Sequence, residues 1–169
     1  RETMESGIRA HERKIQRLAA DIQRAVAQNK PIRIFKQAVS HFVPLPNDSR
    51  FADCQPLDIS DLCEIISIDP EKRTCTAEPG ISFADLIEET LKFGLIPTVV
   101  PELEGITIGG AVAGCSVEGM SYKYGGFHDS CLQYEVVTGT GEVLTCSPKK
   151  QKLAFNMLHG SYGTLGLLS

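Results

Sequence analysis

An α+β fold is what this chain predicts, and three observations carry the prediction. Ile8, Ile15, Leu18, Ile22 and Val26 recur among charged residues with the spacing of an amphipathic helix. The runs "CEIISID" and "RTCTAEPG" are separated by a Pro70 turn, and "CLQYEVVTGTGEVLTC" doubles back around Gly139 and Gly141, so strands come in adjacent pairs. Between them stands a helix start: Ser82 precedes Asp85 by three residues, a capping box with Asp in place of the usual Glu.

In chain order, the opening helix is stopped by Asn29-Lys30-Pro31, after which Ile32, Ile34 and Phe35 read as a short strand. Pro44, Pro46, Asn47, Asp48 and Ser49 make a loop. The strand pair around Pro70 follows. A helix over 82–93 comes next, with Ile81 and Leu86 as its hydrophobic staple and Gly94 as the residue just past its end. "LIPTVVPELEG" is extended and bounded by prolines. The hairpin follows, then a final helix over 149–159, then "HGSYGTLGLLS", where Gly160, Gly163 and Gly166 recur every third residue.

Composition narrows the function. With 169 residues, 42% hydrophobic and 22% charged, the chain reads as globular and long enough to bury one core or two small ones sharing it. Lys+Arg 17 against Asp+Glu 21 gives a net charge of −4 with no basic stripe, so no nucleic-acid partner is expected. The cluster Lys149-Lys150-Gln151-Lys152 reads as a solvated face. Six cysteines (Cys54, Cys63, Cys75, Cys115, Cys131, Cys146) form no Cys-x-x-Cys pair and no zinc-ligand spacing with histidine, so no metal is expected. They read instead as small buried hydrophobes in a reducing, cytoplasmic setting. No apolar run reaches the length of a membrane span. Arg1 at the start and the apolar run "TLGLLS" at the end are expected of a piece of a longer protein.

The stretch "ITIGGAVAG", residues 106–114, is apolar yet carries three glycines behind Thr107. Glycine inside a regular element costs roughly 0.5–1 kcal/mol relative to alanine, so something must approach the main chain closely. Two readings stay open. Another backbone packs there, or a ligand anion such as a pyrophosphate is held by bare N–H groups. A Rossmann site is weakly supported, since Gly139-Thr140-Gly141 lacks the third glycine and sits in a hairpin. His128-Asp129 beside Gly125-Gly126 reads as a turn cap rather than a catalytic pair.

Taken in order, these segments resemble the FAD-binding domain of the vanillyl-alcohol oxidase and p-cresol methylhydroxylase (PCMH-type) superfamily. Glu78-Pro79-Gly80 precedes a helix ending near Gly94-Leu95-Ile96-Pro97; Thr107-Ile108-Gly109-Gly110, Tyr124-Gly125, Asp129, Glu135-Val136-Val137 and Gly141-Glu142-Val143 follow; Gly160-Ser161-Tyr162-Gly163-Thr164-Leu165-Gly166 closes the series. "VVPELEGITIGG" followed by "GCSVEGMSYKYGGF" is most similar to the delta-24 sterol reductase branch. The resemblance covers about residues 31–169. It implies two α/β subdomains with mixed sheets flanked by helices: an N-terminal helix over 1–30, a first subdomain over 31–98, and a second over 99–169 that continues into a missing substrate cap.

The resemblance also implies a set of cofactor-binding residues. Pro101 and Glu102 shape the approach, Thr107 and Ser116 offer hydroxyls, and Ile108, Gly109, Gly110, Ala113, Gly114 and Gly119 belong to the main-chain cradle. Gly163 and Thr164 close from the other side. The family's first phosphate loop is glycine-rich, whereas "IFKQAVSHF" stands in that place here. Within it Lys36 is a substitute cation, Gln37 and Val39 flank the small residues Ala38 and Ser40, and His41 stands where some relatives carry a flavin-linked histidine. Non-covalent FAD is the expected cofactor, with NADPH as electron donor and a small molecule, lipid-like or sterol-like, as substrate. No residue is singled out as catalytic. Three functional readings stand: an FAD-dependent oxidoreductase, either an alkene reductase or an alcohol or hydroxy-acid oxidase or dehydrogenase; a flavin-free binding module of the same fold; and a structural domain whose glycines serve packing alone.

Overall fold

The computed structural model describes residues 2–36 and 49–169. Gln37, Ala38, Val39, Ser40 and His41 therefore lie outside the described residues, as does most of the expected loop over 44–49.

The opening helix, α1, spans Glu2–Ala27. Ile15, Leu18, Ile22 and Ala25 are buried, a stripe stepping by three and four residues. Val26 and Ile8, expected on that stripe, are exposed. Val26 lies one position, about 100° of rotation, beyond Ala25. Toward its N-terminus the helix turns a polar face inward, with His11 and Lys14 bonded to Glu78. Lys30 N–H donates to Ala25 O at 2.9 Å and Asn29 adopts a left-handed φ of 51°, which ends the helix where Asn29-Lys30-Pro31 predicts.

Strand β1, Ile32–Phe35, pairs in parallel with β2, Gln55–Asp58. β2 has no counterpart in the sequence reading: "QPLD" carries a proline and one buried side chain, Leu57. Strands β3, Ile65–Asp69, and β4, Thr74–Ala77, pair as expected and run antiparallel, and α1 packs on β3. Cys63 and Cys75 are exposed, which corrects their reading as buried hydrophobes. Cys75 sits on β4, the partner of β3 in a two-stranded sheet, while Cys146 ends β6, an edge strand of the three-stranded sheet β6-β5-β7, and is buried in the core cluster there.

Helix α2 spans Phe83–Leu91. Ser82 Oγ accepts from Asp85 N–H at 3.0 Å and donates to Asp85 Oδ2 at 2.7 Å, while Ile81 and Leu86 are buried as the staple predicts. Gly94 takes the left-handed φ of 70° expected past the helix end. Ser82→Ala is expected to lower stability by about 1 kcal/mol, read as a lower urea midpoint with an unchanged slope.

Helices α3, Ile108–Ala113, and α4, Ser121–Tyr124, are too short to leave a periodic signal. The hairpin is β5, Tyr134–Val137, and β6, Val143–Cys146; after α5, Lys152–Leu158, strand β7, Leu167–Leu168, returns antiparallel to the free side of β5. One core cluster holds Phe83, Val99, Ala111, Val112, Phe127, Tyr134 and Phe155; the other joins Ile15, Leu18 and Ile22 to Leu57, Leu62, Val137 and Leu167. The second cluster places α1 against strands from both halves of the chain. Among the described residues no helix is long and apolar enough to cross a membrane, and no group of three His, Cys, Asp or Glu is placed to hold a metal.

Candidate cofactor face

The glycine-rich stretch forms the short helix α3, capped by Thr107, whose Oγ1 accepts from Gly110 N–H at 3.2 Å. That leaves the Thr107 hydroxyl hydrogen free to donate elsewhere. The residues around the start of α3 zip antiparallel along the Pro79–Ala84 segment. Ala84 N–H donates to Glu104 O at 3.3 Å, Phe83 N–H to Ile106 O at 2.9 Å, Ile108 N–H to Ile81 O at 3.1 Å and Gly109 N–H to Pro79 O at 2.8 Å. The amides of Ile108, Gly109 and Gly110 are thus all engaged within the chain.

The glycines divide into two kinds. At Gly109 a Cβ would lie 2.6 Å from Pro79 Cβ and 2.9 Å from Pro79 O, and at Gly80 it would lie 2.3 Å from Leu62 O. These two exist for close packing. Gly110, Gly114, Gly119 and Gly163 are exposed, and at Gly119 and Gly163 nothing lies within 4 Å of a would-be Cβ. Among the described residues, no intrachain acceptor takes the Gly119 or Gly163 amide. The packing reading of the glycine stretch therefore holds at Gly109, while Gly110 and Gly114 are exposed with their amides bonded within the chain.

The closing glycine segment lies against α3. Gly160 N–H donates to Val112 O and Tyr162 N–H to Ala113 O, each at 3.1 Å. The contact is close enough that a Cβ on Gly160 would reach 3.0 Å from Cys115 Sγ. Behind it, the His159 ring packs tilted against His128 and edge-to-face against Tyr134 and Phe155, with ring centroids 4.6, 5.5 and 5.2 Å away. Burial lowers the His159 pKa, which favours a neutral ring in that cluster. Gly163, with φ 76°, and Thr164 are exposed just beyond this anchor. The structure thus joins 112–115 to 160–162, and Gly110, Gly114, Gly163 and Thr164 are exposed on either side of the join.

Other predicted residues stand as follows. Pro101 is buried and Glu102 exposed. The Ser116 hydroxyl donates to Glu118 Oε1 at 2.7 Å, and the Thr164 hydroxyl to Ser161 O at 2.6 Å, so neither is free. Lys36 is exposed at the end of β1. Asp129 accepts from Gly126 N–H at 2.8 Å, the turn-capping role expected of it.

A polar network behind this face has no forerunner in the sequence reading. Glu78, 1% exposed, accepts from His11 Nδ1 at 2.8 Å, from Lys14 Nζ at 2.8 and 3.0 Å, and from Glu64 N–H at 2.9 Å. Burial pushes its pKa up, but the hydrogen bonds from His11, Lys14 and the Glu64 amide prevail and hold it below the usual glutamate value. His11 Nε2 lies 2.8 Å from Glu135 Oε1 on β5. In the sequence Glu78 and Glu135 stand out only as members of the ordered motifs Glu78-Pro79-Gly80 and Glu135-Val136-Val137, which say nothing of burial or of His11.

Comparison with known proteins agrees with this architecture. The chain is 41% identical over 87 residues to a Delta(24)-sterol reductase homolog of Caenorhabditis elegans, covering 52% of this chain and 17% of that protein. It is 39% identical over 90 residues to cytokinin dehydrogenase 3 of Oryza sativa subsp. japonica (53% and 17%), and 32% identical over 108 residues to the Delta(24)-sterol reductase of Homo sapiens (64% and 21%). The chain thus spans about a fifth of the length of these relatives. Among solved structures, 6-hydroxy-D-nicotine oxidase from Arthrobacter nicotinovorans superimposes with a TM-score of 0.75 at 23% identity, over 92% of this chain and 33% of that one. Chitooligosaccharide oxidase gives 0.74 at 16% identity, over 91% and 32%. The fold is accordingly the PCMH-type α+β fold that the ordered motifs resemble. A family model described as "FAD binding domain" matches residues 12–147, and the chain belongs to that family of flavin oxidoreductase domains.

Proposed function

We propose that the exposed backbone of Gly110, Gly114, Gly119, Gly163 and Thr164, with the free hydroxyl hydrogen of Thr107, is where this chain holds FAD non-covalently. One observation carries the reading: two sequence-distant glycine segments are fastened together by the Gly160–Val112 and Tyr162–Ala113 hydrogen bonds, and at Gly119 and Gly163 the main chain has open space in front of it. A dinucleotide can lie along such a surface, where the amides of Gly119 and Gly163 and the hydroxyl hydrogen of Thr107 are left to meet its diphosphate without dedicated lysines. When bound, FAD supplies hydride transfer at its N5. The residues of this chain bind and orient; the packing glycines Gly80 and Gly109 fix where the face stands. Pro101, Glu102, Ile108, Ala113 and Ser116 shape the surroundings. The role of Lys36 to His41, in the place of the family's first phosphate loop, is part of the same proposal.

For the whole protein, the similarity to sterol reductases supports reduction of an alkene in a lipid-like or sterol-like substrate, with NADPH as electron donor. The match to a cytokinin dehydrogenase supports a second reading, oxidation of a small substrate such as an alcohol. Titrating the chain with FAD, followed by flavin fluorescence and visible absorbance, tests the cofactor assignment. Gly119→Asp places a carboxylate on the face at a position whose φ is not left-handed and where nothing lies within 4 Å of a Cβ. It is expected to weaken FAD binding by about tenfold or more, equivalent to about 1.4 kcal/mol, with little change in melting temperature. A chain that ignores FAD, or a variant that binds as tightly as the parent, refutes the assignment. Anaerobic bleaching of the flavin by NADPH, against bleaching by an alcohol or hydroxy acid, separates the two reactions.

A further inference from the structure

His11 stands between two carboxylates that belong to opposite sides of the cofactor face. Its Nδ1 is 2.8 Å from Glu78 Oε1 and its Nε2 is 2.8 Å from Glu135 Oε1. A neutral imidazole has one N–H and would set the lone pair of its other nitrogen against an anionic oxygen; imidazolium donates to both. The remaining groups agree with a positive ring. Lys14 faces Glu78 from the same helix, Ser169 Oγ donates to Glu135 Oε1 at 3.1 Å, and the Glu64 amide donates to Glu78. Two cations and two carboxylates close the charge balance, and the His11 side chain is only 12% exposed.

Each carboxylate leads to a different wall. The residue after Glu78 is Pro79, whose carbonyl accepts the Gly109 amide at the start of α3. Glu135 lies on β5, where its carbonyl accepts Ser169 N–H at 3.0 Å and its neighbours Val136 and Val137 pair with β7, the strand that follows the closing glycine segment. Gly166 ties that segment to the same strand, since a Cβ there would meet Val136 Cγ1 at 2.7 Å.

We propose that His11 is a positioning residue for the cofactor face: as imidazolium it fastens Glu78 to Glu135, fixes the spacing between α3 and the 160–166 segment, and on losing its proton loosens both walls and weakens FAD binding. The part concerning FAD rests on the cofactor reading above. Hydrogen bonds to Glu135 and Glu78 raise the His11 pKa from 6.5 to about 9 against the opposing effect of burial. Because the folded value is the raised one, the clasp is fully formed below the ordinary histidine pKa and is lost as pH rises through about 9. The pKa values of both glutamates are lowered, so their charges persist below the ordinary glutamate range.

Three measurements on the full chain test this: imidazole titration by NMR, FAD affinity below and above the His11 midpoint, and amide hydrogen exchange over 107–113 and 160–169. Expected are a His11 midpoint near 9 and FAD binding about tenfold weaker above it than below. His11→Gln is expected to bind as the parent does at high pH, with no pH response and faster exchange in both segments. His11→Arg, which donates to both carboxylates at every pH, is expected to restore affinity and abolish the pH response. A His11 midpoint near 6.5 overturns the proposal and needs no variant. So does a His11→Gln protein with parental exchange and parental FAD affinity. A chain that binds no FAD at any pH yet shows faster exchange in His11→Gln refutes the cofactor reading and leaves the clasp standing.

Discussion

Glu78→Ala is expected to be among the most damaging single changes in this protein, lowering folding stability by roughly 3–5 kcal/mol. The carboxylate is 1% exposed and accepts from a histidine, a lysine and a backbone amide. Removing it leaves the Lys14 ammonium and the His11 ring facing an emptied, largely water-excluded space, and strands the Glu64 amide. Urea denaturation read by tryptophan-independent far-UV circular dichroism measures the loss, since the chain contains no tryptophan. Asp61→Ala is the control: its ion pair with Arg17 is formed by side chains 44% and 41% exposed, and its removal is expected to cost less than about 1 kcal/mol. Equal losses from the two substitutions would mean that Glu78 carries no special burden.

Gly109→Ala is the second large effect. The new methyl group would stand 2.6 Å from Pro79 Cβ and 2.9 Å from Pro79 O, and neither is the free end of a flexible side chain. The chain must open along the zip joining Glu104–Gly109 to Pro79–Ala84, putting the Gly109–Pro79 hydrogen bond at risk. Overpacking of this kind costs roughly 1–3 kcal/mol, more than the ~1 kcal/mol that alanine gains over glycine inside a helix. A stability loss of about 2 kcal/mol is therefore expected, together with weakened FAD binding, because α3 is displaced. Gly119→Ala, with nothing within 4 Å of its new methyl, is expected to leave the unfolding midpoint unchanged. If Gly109→Ala unfolds at the parental midpoint, the tight approach of Pro79 is not what selects glycine there.

How much of this was legible in the sequence depends on the range of the forces involved. Helices α1 and α2 were readable because periodicity and the Ser82–Asp85 cap are local, and the two antiparallel strand pairs because their turns carry Pro70, Gly139 and Gly141. β2 was not, since its parallel partner β1 lies across a long connection and only Leu57 is buried. The glycine stretch marked the right region without sorting its members. Whether a glycine faces Pro79, as Gly109 does, or open space, as Gly119 does, is a tertiary fact. The His11–Glu78–Glu135 network was invisible for the same reason: its residues are 67 and 124 positions apart, and each alone looks like an ordinary surface charge. Even the exposure of Cys75 follows from which strand of its pair α1 covers, a matter no local pattern encodes.

Helix α1 also has a consequence for the birth of the molecule. Its apolar stripe of Ile15, Leu18 and Ile22 shares a cluster with Val137 and Leu167, which emerge from the ribosome long after it. Until those residues arrive, the stripe has only part of its final covering, and the contacts that complete it are among the most distant in the chain. Such long-range closure slows folding and leaves a sticky surface waiting. During synthesis this stripe is therefore expected to stay partly uncovered until β7 docks.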